Sequence, residues 1–349
     1  MLLKQSPEDF KVIEIIKPPK KDKEGKYTYF WLTKTNYTTV RAISQIARTL
    51  RISKRRFHFS GTKDKYAITT QLVSVMHLPP SKLEEVSLKD IDIKPLHKGE
   101  ERITLGMHTG NRFEIVVRDV KKTPSPRSEF PNYFDEQRFS SNNAEVGKAI
   151  VKGFTREAVE LILSKDSTSK KLAKKQKWRE LINYYSKPHS SERTVVNHLI
   201  NSTNDYAGAF RNLHKKIRML YIHAYQSYLF NKALSSIIKG KFKIKVGKES
   251  LCIGPIKSKE LSLPGYKTKL SKSDYDKKLA KLLKKDGVKL EDFKIARMPE
   301  LASYGGSRAS SVKVSRLKIG KLVDNNITLG FDLPKGAYAT MLVKILFAS

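Results

Sequence analysis

Residues 59–71 read FSGTKDKYAITTQ. Gly61 marks a turn, and residues 68–76 form a β-branched, strand-like run, so the segment is a charged turn that feeds a strand. At its centre Asp64 stands between Lys63 and Lys65. Flanking ammonium groups favour the ionised carboxylate, and an ionised carboxylate is equipped to act as a nucleophile or base. The same residues also read as an ordinary charged turn on a basic surface. Asp64 is the only acid between Arg51 and Pro80, which argues against the clustered carboxylates of a metal-dependent nuclease. GTKDK also lacks the second glycine and the hydroxyl of a nucleotide-binding phosphate loop.

Moving outward from the turn, residues 10–16 are a β-branched run closed by Pro18-Pro19, and residues 27–32 are a second strand rich in aromatics. Thr38 or Thr39 can cap a helix in which Val40, Ile43, Ala47 and Leu50 recur at helical spacing. Residues 102–105 and 113–117 flank Gly106 and Gly110-Asn111 and are expected to be two strands joined by a turn. Residues 123–127, with Pro124 and Pro126, form a loop. The pattern then turns helical. Residues 144–163 predict a helix broken near Gly153 and restarted at Thr155. Residues 213–238 predict a long helix with Ile217, Leu220, Tyr221, Ala224 and Tyr228 on one face. Phe242, Ile244 and Val246 alternate with lysines as in a half-exposed strand. Residues 327–347 return to strand-like sequence around Pro334-Lys335-Gly336. Strand-rich ends around a helix-rich middle are the order that an insertion within one domain produces.

The whole composition bears on partners. The 349 residues include 69 Lys+Arg against 34 Asp+Glu, a formal net charge of +35. A surplus of that size makes polyanions the natural partners. It predicts nucleic-acid binding that weakens steeply with salt. A basic run at 170–179 carries six basic residues and no acid, with Trp178 interleaved. A second, at 267–289, is interrupted by Asp274, Asp276 and Asp286. Such runs are solvated faces first and phosphate contacts second. With 39% hydrophobic residues the chain can build a core. No apolar stretch is long enough for a membrane span, and the start of the chain turns acidic too early for a signal peptide. A single cysteine, Cys252, permits neither an internal disulfide nor a thiolate zinc cluster. The eight histidines (58, 77, 97, 108, 189, 198, 214, 223) show no tight ligand spacing. No metal is expected, and the cytoplasm is the expected location.

The turn around Asp64 resembles the signature of the TruD family of pseudouridine synthases. Further segments resemble family motifs in the same order: LLKQSPEDF at 2–10, GNRF at 110–113, NYFDEQRF at 132–139, AYQSYLFN at 224–231, LPG at 263–265 and FDLPKGAYAT at 331–340. The ordered set spans nearly the whole chain and points to an archaeal-type member. The sequence departs from the family where Asp135 and Ser140 replace expected glycines, and where Lys344-Ile345 replaces Arg-Glu.

The resemblance implies an α+β protein. Its pseudouridine synthase catalytic domain, with a mixed, mainly antiparallel sheet, is formed by 1–155 and 310–349, and an inserted α+β domain spans 156–309. It implies a tRNA substrate, with the uridine at position 13 as the usual target, and a reaction that needs no cofactor. Asp64 becomes the catalytic carboxylate and Lys4 its cationic partner. Glu8 and Phe10 become substrate-side residues. Phe134 is expected to stack the flipped base and Asn132 to hydrogen-bond it, since extruding a base costs a few kcal/mol that a stacking pocket must repay. A non-catalytic RNA-binding protein or chaperone fits charge and size equally well, but plain phosphate binding has no use for an aspartate at position 64.

Overall fold

The computed structural model describes residues 1–140, 142–188 and 190–348, so His189 lies outside the described residues. Among these, the chain forms two compact units, Met1–Phe130 with Val312–Phe347, and Pro131–Ser311. The second is inserted, along the sequence, into the first.

The first unit is built on strands β1 (Phe10–Ile15), β2 (Tyr27–Thr35), β3 (Phe57–Phe59), β4 (Ile68–Met76), β5 (Ile91–Gly99) and β6 (Gly110–Val117), joined late in the chain by Ser315–Ile319 and Ile327–Pro334. Among the described residues these make an eight-stranded sheet. Its order is Ser315–Ile319, Ile327–Pro334, β6, β1, β4, β2, β5, with β3 paired to β4. β1 and β4 run parallel, and the remaining pairs are antiparallel. The protein is therefore α+β with a mixed, mainly antiparallel sheet, as the sequence led us to expect. β1 pairs with the first residues of β4 and β3 with later ones. The turn around Asp64 thus leaves and re-enters the middle of the sheet.

One helix, α1 (Thr39–Thr49), follows β2 directly, and the Thr38 hydroxyl caps it by accepting from the Arg41 N–H. Its Ala42, Ile43, Ile46 and Ala47 pack on Phe30, Leu32, Val73 and Val75 of β2 and β4. Val40, expected in that stripe, is exposed. It sits one position, about 100° of helical rotation, from the buried Thr39.

Two expectations fail here. Residues 102–105 are not a strand. Ile103 instead packs with Tyr29 and Leu72, and its N–H donates to the Ser74 hydroxyl at 3.0 Å. Side-chain and loop partners replace a ladder, and β6 pairs with β1. The strand that precedes this loop, β5, contains Pro95, which removes a ladder donor. It is tolerated because β5 is an edge strand with a register shift beside the proline. The end of the chain is the second correction: after the strand Ile327–Pro334 comes a helix, Ala339–Leu346. Its Met341, Leu342, Val343, Ile345 and Leu346 are all buried. Only Thr340 and Lys344 interrupt this apolar run, and a spacing of four fits both a helical and an alternating pattern, so helix and strand read alike.

The second unit is helical, with two small antiparallel strand pairs. The long helix Lys215–Ile237 runs through its core and buries residues around much of its circumference, from Tyr221 to Leu234. The helices Asn143–Val151 and Thr155–Leu163 break at Gly153, as expected. Gly147 lets the first of them meet the long helix closely: a Cβ there would lie 2.0 Å from the Tyr221 carbonyl oxygen. The strand Phe242–Val246 pairs with Glu249–Ile253, and Glu260–Leu263 pairs with Gly306–Ala309. Trp178, set within a basic run, is buried against Tyr206 and offers no exposed ring. No helix among the described residues is long and apolar enough to cross a membrane.

Candidate active site

The turn at 60–67 is held at several points. Glu14 lies on the inward face of β1, in phase with Phe10 and Val12. Its Oε1 accepts from the Ser60 hydroxyl and pairs with Lys63 Nζ at 2.8 Å, while Oε2 accepts from the Leu72 N–H at 3.1 Å. Both partners of the ion pair are buried, with side chains 7% and 0% exposed. Lys63 Nζ also donates to Asn111 Oδ1 at 2.8 Å. The Lys63 N–H donates to Thr39 Oγ1, which donates to Gln71 Oε1, and Gln71 Nε2 donates to the Gly61 carbonyl. A lone carboxylate in a strand core would be costly without such partners. Here it bridges β1, β4 and the turn.

Lys34 ends the same scaffold. It is fully buried on β2, in phase with Leu32. Its ammonium donates to the Tyr37 carbonyl and, at 2.8 Å, to the carbonyl of Asp64. Burial pushes its pKa down to about 8; the charge on Asp64 opposes that shift and the charge on Lys63 adds to it. Below about pH 8 the folded and unfolded chains both carry this charge, and the folded chain bears the cost of burying it. As pH rises from about 8 towards the ordinary lysine value of 10.5, the folded chain loses the proton first, so stability rises. Urea unfolding of wild type and Lys34→Met across pH 7–10 is expected to show this rise, of up to ~3 kcal/mol, in wild type and not in the variant. Parallel pH curves for the two proteins would remove Lys34 as its source.

With its main chain fixed, Asp64 presents a carboxylate that is 50% exposed. Its ion-pair partner among the described residues is Lys4, with Nζ 2.6 Å from Oδ2. The neighbours Lys63 and Lys65 do not fill that part. Lys63 turns inward to Glu14, and Lys65 faces solvent. Lys4 is also 4.0 Å from the centroid of the buried Phe10 ring. Its φ of 54° is in the left-handed region that non-glycine residues avoid. The chain on either side maintains that conformation. Leu2 forms a bridge with Arg118, and the Asp9 carboxylate accepts from the Gln5 and Ser6 N–H groups. Hydrogen bonding to Arg118 holds the Asp9 carboxyl below the usual carboxylate range. The Tyr66 hydroxyl, from the turn itself, donates to the Gln5 carbonyl at 2.9 Å. Glu8 is exposed, and a hydrogen bond from Ser6 lowers its pKa. Strained backbone of this kind is concentrated at functional sites.

Asn132 and Phe134 belong to the second unit and come together there. Both are nearly buried, Phe134 at 8% exposed. The chain is extended here, so Tyr133 points away and donates its hydroxyl to the Cys252 carbonyl. Phe134 is pinned by its main chain: its N–H and carbonyl both bond the side-chain amide of Asn231, at 2.9 and 2.8 Å. Its ring meets Phe230 edge to face. The Arg308 guanidinium lies 4.0 Å over the ring and donates to Asn132 Oδ1 at 2.5 Å and to the Asn132 carbonyl at 2.9 Å. A planar group that donates hydrogen bonds thus covers the Phe134 ring and occupies the Asn132 amide oxygen.

Glu14, Lys34, Arg308 and Asn231 escaped the reading of the sequence. For the first two a signal existed, since each is a charge placed in the inward phase of a strand. Ser140, where a glycine was expected, has φ of 47°, a conformation glycine adopts without strain.

The family model described as tRNA pseudouridine synthase D (TruD) matches residues 1–254 and 257–345. A relative from Methanopyrus kandleri, described as probable tRNA pseudouridine synthase D, is 33% identical over 352 residues, covering 93% of this chain and 86% of its own. One from Nanoarchaeum equitans with the same description is 34% identical over 382 residues, covering 99% of this chain and 98% of its own. A crystal structure from Methanosarcina mazei, of a candidate tRNA pseudouridine synthase D, superposes with a TM-score of 0.76 at 29% identity, covering 99% of this chain and 93% of that one.

Proposed function

The chain belongs to the TruD family of tRNA pseudouridine synthases, and we propose that it isomerises the uridine at position 13 of tRNA, in the cytoplasm, with Asp64 as the essential carboxylate. In the reaction the bond between the ribose and the ring nitrogen of uracil breaks. The base turns, and a new bond joins the same ribose carbon to carbon 5. The proton on carbon 5 leaves to solvent and the ring nitrogen gains one, so the product is an isomer of the substrate.

The observation that carries the assignment is the Lys4–Asp64 pair on a turn whose main chain is fixed from below. Attack on the ribose, action on the base and removal of a sugar proton all require a carboxylate aimed at a bound nucleotide. Lys4 engages one oxygen of Asp64, and the half-exposed group remains within reach of substrate. Positioning of this kind lowers the barrier by removing the search for orientation. Glu8 lies in the short helical turn Pro7–Asp9 that follows Lys4, and Phe10 opens β1 with its ring beneath the Lys4 ammonium; we assign both to the substrate side.

For Asn132 and Phe134 we assign the flipped uracil: stacking on the ring and hydrogen bonding to the amide. Arg308 supports this reading, because a planar cation already sits where a planar base would stack and donates to the atom that a base N–H would reach. Uracil binding then exchanges with Arg308.

The test is tritium release from tRNA carrying uridine labelled at carbon 5, with no cofactor added, followed by mapping of the modified position. Release with pseudouridine at position 13 is the expected result. Binding of unmodified tRNA without any release would overturn the proposal, and release from another uridine would correct the target alone.

A further inference from the structure

Two loops of the second unit are joined into a rigid shelf. The Tyr266 N–H donates to the Ser303 carbonyl at 3.0 Å, and the Lys267 N–H to the Tyr304 carbonyl at 3.1 Å. Gly265 lies so close to Gly305 that a Cβ on Gly265 would fall 2.0 Å from the Gly305 nitrogen, and Gly305 itself has φ of 85°. From beneath, buried Gln226 on the long helix donates to both the Pro264 carbonyl and the Ser303 hydroxyl, at 2.5 and 2.7 Å. Each loop is thus fixed to the other and to the core.

On this shelf stand two aromatic rings. Tyr304 is 59% exposed, and its ring centroid lies 5.0 Å from that of Tyr266, at 37°. Lys267 Nζ is 4.6 Å over the Tyr304 ring and Lys294 Nζ is 5.9 Å over that of Tyr266. A ring left in water on a rigid mount contributes little to folding, since the gain from an aromatic comes with its burial. Exposed rings beside cations are what proteins use to hold unpaired nucleotides: the base stacks on the ring, and the ammonium takes the phosphate. The excess of 35 positive charges favours that class of partner over a protein or a neutral ligand. Tyr304 and Gly305 also lead directly into the strand Gly306–Ala309, which carries Arg308 to the Phe134 ring.

We propose that Tyr266 and Tyr304 form a stacking platform for an unpaired base of the tRNA substrate, distinct from the uridine that is isomerised. The proposal rests on the tRNA reading above, and it adds a contact that serves affinity rather than chemistry.

The experiment compares wild type, Tyr304→Ala, Tyr304→Trp and Lys267→Gln. Binding of an unmodified tRNA transcript is read by fluorescence anisotropy at several salt concentrations, and turnover by tritium release. Tyr304→Ala should weaken binding about tenfold, within the roughly 5–100-fold range of one lost stacking contact. KM should rise in parallel, with kcat and melting temperature unchanged. Because a tyrosine releases no counterions, the slope of log Kd against log salt should stay that of wild type, whereas Lys267→Gln should reduce it by about one. Tyr304→Trp should bind as wild type does. Wild-type affinity in Tyr304→Ala overturns the platform, as does equal loss in the alanine and tryptophan variants with a lowered melting temperature. The binding readout is independent of turnover. Weakened binding by Tyr304→Ala in a protein that releases no tritium would keep the platform and remove the isomerase reading. Wild-type binding in an active Tyr304→Ala would do the reverse.

Discussion

Asp64→Ala is expected to lower single-turnover tritium release by at least about 10³-fold while leaving tRNA affinity within about twofold of wild type. The rate estimate follows from what a positioned carboxylate contributes to bond breaking, about 10²–10⁴-fold for proton transfer alone. The affinity estimate follows from geometry. Asp64 is half exposed and negatively charged, and it pairs with Lys4 rather than offering a donor to phosphate. Removing it sheds a like charge from a polyanion's path and leaves the main chain of the turn held by Lys34, Thr39 and Glu14. Asp64→Asn keeps the shape and should be equally inactive, which separates charge from packing. Lys4→Met should lower kcat with little change in KM, because it frees the carboxylate to wander without removing it. Substantial release by Asp64→Ala would place the chemistry on another group. Loss of tRNA binding along with activity would show a contribution to binding instead.

Much of the scaffold was legible because its residues obey simple periods. β1, β2 and β4 are β-branched or aromatic runs of the right length, and α1 follows a threonine cap. The break at Gly153 between two helices was equally plain. Where the reading failed, burial was uniform or a local rule was overridden. Ala339–Leu346 is apolar except at Thr340 and Lys344, whose spacing of four suits a helix and a strand equally. β5 hides behind Pro95, which only an edge position excuses. Residues 102–105 look like a strand because Ile103 is apolar, yet Ile103 is a plug under β2 and β4.

The candidate site divides in the same way. Asp64 could be singled out from its turn, and the family resemblance paired it with Lys4, but the local sequence alone showed none of its surroundings. Adjacency in sequence pointed to Lys63 and Lys65 as its cations. In an extended segment neighbouring side chains point apart, and Lys63 is committed to Glu14. The partner that is present, Lys4, is sixty positions away. Long-range pairs of this kind leave no local trace. Arg308 is a further case: nothing in the sequence near it signals that its guanidinium covers Phe134.

Glu14 is where fold and site meet, and Glu14→Leu should produce a large loss of stability in the first unit. The substitution matches volume and removes charge. It leaves the buried Lys63 ammonium with only the Asn111 amide oxygen, and deprives the Ser60 hydroxyl and the Leu72 N–H of their acceptor. Breaking one side of a buried ion pair costs about 3–5 kcal/mol, which for a unit of this size lowers the melting temperature by roughly 10 °C or more. Activity should fall with it, because Ser60 and Lys63 lie on the turn that carries Asp64. The double variant Glu14→Leu, Lys63→Met separates the two effects. Replacing both charges by apolar groups removes the uncompensated ammonium, so stability should recover by at least about 2 kcal/mol relative to the sum of the single losses. Turnover should stay low, because the turn has still lost its tie to β1. If the double variant is no more stable than the sum predicts, the two charges do not act as a pair. If it regains full turnover, Asp64 does not depend on this anchor. Stability without activity is the outcome expected if the pair is there to fix the carboxylate in place rather than to hold the sheet together.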